Sequence, residues 1–188
     1  MKFYDKDIKK WIENGKILIK PKPKKNNIKE ASIDIHLGNK FRVFNKNNHG
    51  YIDLKKYEIN KNNKINKIIS KEINISNNKK FYLYPQEMAL GITKEYVNLP
   101  NNLIGTLYGR SSLARIGLMI HITANRIDPG WCGNIVLEFY NFNKLPLLLY
   151  PGMIIGALSF EKLSGYVKRS YNTRKNSKYK NQKNILNN

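Results

Sequence analysis

The sequence predicts a mainly β fold, a barrel or sandwich of short strands with few helices. Short β-rich runs recur along the chain, each bounded by Pro, Asn or Gly. One of them, Ser32–Leu37, alternates cleanly, with Ile33, Ile35 and Leu37 on one face. Another, Asn134–Asn141, sets Ile135, Leu137 and Phe139 on a core face and Val136, Glu138 and Tyr140 on the other.

The elements follow in order. Asp5 is placed to cap a short helix running to Asn14, with Ile8, Trp11 and Ile12 on one face and Gly15 as its stop. Lys20-Pro21-Lys22-Pro23 reads as an extended connector. After Ser32–Leu37, strands are expected at Phe41–Phe44 and Tyr51–Leu54. Residues 55 to 80 are Lys/Asn/Ile-rich and low in complexity, and read as loop or mixed short structure with little function. Further strands are expected at Phe81–Leu83, Met88–Thr93, Leu103–Leu107, Met119–Thr123, Ile135–Tyr140, Leu147–Tyr150 and Ile154–Ser159. This gives one domain over 1–165 and a basic, polar tail over 166–188 that is poor in apolar anchors and mobile when free.

At 188 residues the chain suits one core. Its net charge of +21 is carried mostly by Lys spread among Asn and Ile, as a solvated surface would be. No helix-turn-helix, zinc-finger or RRM pattern accompanies it, so nucleic acid is not the expected partner. The charge should still draw anionic substrates. There is no membrane-length apolar run, and Met1–Asp7 carries no signal-peptide h-region. A single cysteine, Cys132, fits a reducing cytoplasm.

Two dense pieces lie between Gly109 and Gly156. Gly109-Arg110-Ser111-Ser112-Leu113-Ala114-Arg115 has the parts of an anion clamp: a Gly turn, two hydroxyls and two Arg bracketing a helical turn. Its plainer reading is a Ser-capped turn with exposed Arg. Asn125–Asn141 reads as a β-hairpin arm that turns at Asp128-Pro129-Gly130 and delivers Glu138 among apolar neighbours. A carboxylate stripped of hydration there would shuttle protons near neutral pH; the plainer reading is a strand Glu paired with a cation. His121 reads as a structural residue in an apolar strand. His36, His49 and His121 have no metal spacing, and one cysteine cannot supply the Pro-Cys-x-x-Cys of a zinc deaminase.

These pieces, with Pro151-Gly152-Met153, Leu158-Ser159-Phe160-Glu161 and the tail from Tyr171 to Gln182, resemble bacterial dCTP deaminase. The N-terminal Ser32-Ile33-Asp34 and Leu37-Gly38 fit as well. The resemblance implies a distorted jelly-roll shared with dUTPases and a homotrimer with active sites between subunits. It implies zinc-free hydrolytic deamination of dCTP to dUTP and ammonia, with Mg2+ accompanying the triphosphate, and makes dTTP a candidate feedback inhibitor.

By resemblance, Glu138 moves protons, Ser111 holds the attacking water and Arg115 balances charge near Glu138 and the base. Arg110 and the amides from Ser111 and Ser112 through Leu113 to Ala114 hold phosphates. Asp128 and the backbone of Val136 and Leu137 bind sugar and base, Ala124 shapes the pocket, and Arg126 reaches into a neighbour's site. Tyr171, Lys178 and Gln182 clamp the nucleotide when the tail closes as a lid. Asn125 stands where close relatives are expected to carry His. A dUTPase is the nearest alternative, but Trp131 occupies its Tyr position and the tail has no Gly after Gly165. A bifunctional enzyme carrying dCTP through to dUMP is the second alternative.

Overall fold

The computed structural model describes residues 1–45, 51, 54, 68–76, 78–121 and 123–186. Helix α1 (Asp5–Glu13) is followed by strands β1 (Leu18–Lys20), β2 (Ile33–Val43), β3 (Ile73–Asn74), β4 (Phe81–Leu83), β5 (Met88–Asn98) and β6 (Leu103–Gly109). A one-turn helix α2 (Ser111–Ala114) leads to β7 (Leu118–Ile120), β8 (Arg126–Ile127), β9 (Cys132–Asn141), β10 (Leu147–Leu149) and β11 (Ile154–Lys162). The mainly β, distorted jelly-roll expectation holds. Nine strands form one curled sheet in the order β7-β9-β5-β2-β11-β6-β8, with β1 on β5 and β3 on β2; β4 and β10 pair separately.

Several boundaries differ from expectation for physical reasons. Asp5 is the first helical residue rather than the cap, and its carboxylate takes Lys9 Nζ at 3.2 Å. Gly15, at φ +68°, still ends the chain's helical run. Ser32–Leu37 and Phe41–Phe44 fuse into one strand, β2, because a bulge between Leu37 and Phe41 absorbs the break in alternation. The expected strand at Tyr51–Leu54 includes residues outside those described, as does most of 55–80. Within that stretch, however, β3 pairs with β2 and Ile69 is buried.

The expected hairpin over Asn125–Asn141 is not one. The chain does reverse at Asp128-Pro129-Gly130, where Trp131 N–H donates to the Asp128 carbonyl at 3.0 Å. But β8 pairs with β6 at one end of the sheet, while β9 sits between β5 and β7 near the other. The turn therefore throws the chain across the curl of the sheet, and the hollow it spans becomes the pocket.

Alternation along β9 is as expected. Ile135, Leu137 and Phe139 are buried, and Val136, Glu138 and Tyr140 face away from the core. Packing under β9 is close. A Cβ on Gly91, in β5, would stand 2.5 Å from the Phe139 ring. Gly91→Ala should lower unfolding free energy by about 1–3 kcal/mol through overpacking. An unchanged chemical denaturation midpoint would show that the ring turns aside freely.

Candidate functional site

The pocket is a cavity of about 270 Å³ between β9, the Arg126–Trp131 turn and the C-terminal tail. Of the residues picked from sequence, Ala124, Arg126, Asp128, Val136, Glu138, Tyr171 and Gln182 line it together. Their convergence has a local cause in each case. The pleat of β9 aims Val136 and Glu138 to one side, and the reversal at Gly130 (φ +78°) brings Asp128 opposite them. Leu137 is fully buried in the core, so it offers the pocket no side chain.

Glu138 is not enclosed as the sequence reading expected. Its side chain is 36% exposed, and its nearest ionic neighbour is His121, with Nδ1 2.9 Å from Oε2. His121 itself is nearly buried and leaves β7 in a left-handed conformation (φ +54°), not in the expected strand Met119–Thr123. That conformation turns the ring back over the pocket. Its backbone N–H donates to the Glu138 carbonyl at 2.9 Å, and Nε2 lies 2.7 Å from the Ala124 carbonyl. A carbonyl can only accept, so Nε2 carries hydrogen and Nδ1 is turned toward Glu138. Nδ1 is close enough to Glu138 for an ion pair but out of line for a hydrogen bond, so it is a buried nitrogen without a hydrogen-bond partner.

Asp128 is engaged from both sides. Arg126 Nε donates to Oδ1 at 3.0 Å and Arg174 Nη2 donates to Oδ2 at 2.8 Å. Arg126, expected to reach a neighbour, stands at the rim of its own chain's pocket. Arg174 also covers the Tyr171 ring, which packs on Trp131 with centroids 5.1 Å apart. Burial pushes the Tyr171 phenol above its ordinary range, so it remains a neutral hydroxyl; it accepts from Tyr179 N–H at 3.1 Å. Lys178 lies outside this cavity, in an adjoining tail hollow with Tyr171, Arg174 and Tyr179.

The tail runs against the domain along its length. Tyr171 N–H donates to the Pro129 carbonyl at 2.8 Å, and Asn134 N–H donates to the Gln182 carbonyl at 2.8 Å. Gly133, at φ +149°, admits that second contact: a Cβ there would meet Gln182 N at 2.7 Å. Contrary to the reading of the tail as poor in apolar anchors, Ile185 is buried. His121, Trp131, Ile185 and Leu186 are pocket residues that the sequence reading did not assign.

The anion clamp is present as a structure but stands apart. Arg110 precedes α2, whose short turn leaves its first amides without helical partners. Arg110, Ser111, Ser112, Ala114 and Arg115 are exposed, Leu113 packs against the core, and none of the six lines the cavity. Among the described residues, no group of three or more His, Cys, Asp or Glu is placed to hold a metal ion. The Cys132 thiol sits 2.6 Å from the Tyr96 hydroxyl. No helix of the described residues is long and apolar enough to cross a membrane.

A family model described as dCTP deaminase-like matches residues 3–163. The chain is 52% identical to a dCTP deaminase of Pectobacterium atrosepticum, over 97% of this chain and 94% of the relative. It is 53% identical to a dCTP deaminase of Pasteurella multocida, over 99% of this chain and 96% of the relative. Among solved structures, a 2'-deoxycytidine 5'-triphosphate deaminase from Agrobacterium tumefaciens superposes with TM-score 0.62 at 16% identity, covering 86% of this chain. This chain spans about half (48%) of that solved chain. A dUTPase from phage phi11 of S. aureus superposes with TM-score 0.50 at 15% identity, over 81% of this chain and 95% of that one. These two likenesses show the dUTPase-like fold.

Proposed function

The chain belongs to the dCTP deaminase-like family, and on that premise we propose that it hydrolyses dCTP to dUTP and ammonia. The observation that carries this reading is Glu138, a pocket-lining carboxylate with the His121 Nδ1 2.9 Å away.

Glu138 takes a proton from water as the oxygen attacks C4 of cytosine. That proton passes to ring N3. The second water proton goes to the exocyclic nitrogen, the C4–N bond breaks, and ammonia leaves a C4 carbonyl. Ser111 holds the water and Arg115 balances charge beside Glu138. Arg110, Ser112, Leu113 and Ala114 supply phosphate contacts, the last two through their amides. Asp128, held by Arg126 and Arg174, bears on the sugar, and the backbone of Val136 and Leu137 on the base.

Because the residues of α2 lie outside the cavity of their own chain, they serve a neighbour's pocket in a homotrimer. The tail, through Tyr171, Lys178 and Gln182, is the nucleotide lid. Magnesium enters as part of the triphosphate substrate: Asp128, the pocket's second carboxylate, is already taken by two Arg. The chemistry is read as zinc-free because a chain with one cysteine lacks the Pro-Cys-x-x-Cys pair of the zinc deaminases. A cytoplasmic setting and dTTP as feedback inhibitor complete the reading.

Product analysis tests it. Protein treated with chelator and then given dCTP with magnesium should release ammonia and dUTP without pyrophosphate. Ammonia with dUMP and pyrophosphate would identify a two-step enzyme. dUMP formed only from added dUTP would identify a dUTPase and overturn the proposal.

A further inference from the structure

The tail and the segment before Phe81 meet in a small apolar cluster that contains neither Glu138 nor His121. Ile185 is 1% exposed and packs with Ile69, Leu90 and Ile92 in a small second core, apart from the main one. Leu90, Ile185 and Leu186 also form part of the pocket wall; Ile69 does not. Polar contacts flank this plug. Lys40 Nζ donates to Asn184 Oδ1 and lies 3.4 Å from the Glu72 carboxylate. Gln182 Nε2 donates to the Ile185 carbonyl at 3.1 Å, and Ile185 N–H faces Glu72 Oε2 at 3.5 Å.

We propose that Ile185 is the latch of the tail and that Ile69 and Glu72 are its receiving plate. Most of the tail before Ile185 is basic and polar, and its long side chains lose entropy when it docks. An apolar side chain buried near its far end offsets that loss through packing on Ile69, outside the pocket wall. The docked fraction of the tail, and with it the apparent affinity for a ligand beneath it, then depends on Ile69, which lies outside the pocket wall. This inference rests on the lid reading above and goes beyond it by placing control of the lid in the 68–76 segment.

The decisive variant is Ile69→Ser, studied beside Ile185→Ser and the conservative Ile69→Val. Trypsin without nucleotide, read by mass spectrometry, should cut at Lys178, Lys180 and Lys183 about tenfold faster or more in both Ser variants, and at the original rate in Ile69→Val. With dCTP, KM of Ile69→Ser, whose substituted residue lies outside the pocket wall, should rise by a similar factor while kcat at saturation stays. Tail cleavage unchanged in Ile69→Ser, with the variant folded by its melting curve, overturns the latch. New cuts confined to residues 68–76 overturn it too. Faster tail cleavage with unchanged KM upholds the latch and removes the lid reading instead.

Discussion

Glu138→Gln is expected to fold, to bind dCTP within a few-fold of the original affinity, and to lose turnover by about a thousandfold or more. The substitution keeps shape and hydrogen-bonding reach but removes the ability to accept water's proton. The site leaves little to take over the task. Val136 and Tyr140, on the same face of β9, offer no base at neutral pH, and Asp128 is occupied by Arg126 and Arg174. His121 is the nearest titratable group, but its Nε2 is committed to the Ala124 carbonyl, and its Nδ1 faces Glu138 rather than open pocket. Ammonia release measures turnover, and calorimetric titration with dCTP measures binding. Near-normal turnover would take Glu138 out of the mechanism; loss of binding along with turnover would make it a binding residue.

The sequence revealed what local periodicity controls and missed what distant pairing controls. The alternation of β9 was legible because its two faces meet different surroundings, and the burial of Ile135, Leu137 and Phe139 follows it. Asp128-Pro129-Gly130 announced a reversal, but turn chemistry does not say which strands the two arms join. Here β8 went to β6 and β9 to β5 and β7.

The partner of Glu138 was hidden for a similar reason. His121 sits in an apolar run that reads as strand, and the positive φ that swings it over the pocket has no signal in a non-glycine residue. Ile185 stands beside Leu186 near the end of a mostly polar tail, and Ile69 lies in a Lys/Asn/Ile-rich stretch; neither has a periodicity to announce it. The roles given to the site candidates came from motif resemblance. Pocket geometry gathers seven of those candidates, Glu138 among them, and leaves Leu137, Lys178 and the Arg110–Arg115 residues outside.

That separation leads to the second large effect. Two nearly inactive variants, Glu138→Gln and Arg115→Ala, are expected to restore each other when combined in one oligomer. Arg115, with Ser111, Ser112 and Ala114 of α2, is exposed and absent from the cavity that holds Glu138 of the same chain. If each site takes Glu138 from one subunit and Arg115 from the next, every mixed trimer holds one junction with both groups intact. Co-expression with two different tags and tandem purification isolates mixed trimers, which should turn over at about a third of the unsubstituted rate from cyclic symmetry. The parents, each lacking one group at every junction, should stay slower by orders of magnitude. A site contained in one chain predicts the opposite, since no subunit of the mixture then carries both groups. Mixed oligomers as slow as their parents would place Arg115 with its own chain's Glu138, and the exposure of α2 would then need a closing motion within the subunit instead of a neighbour.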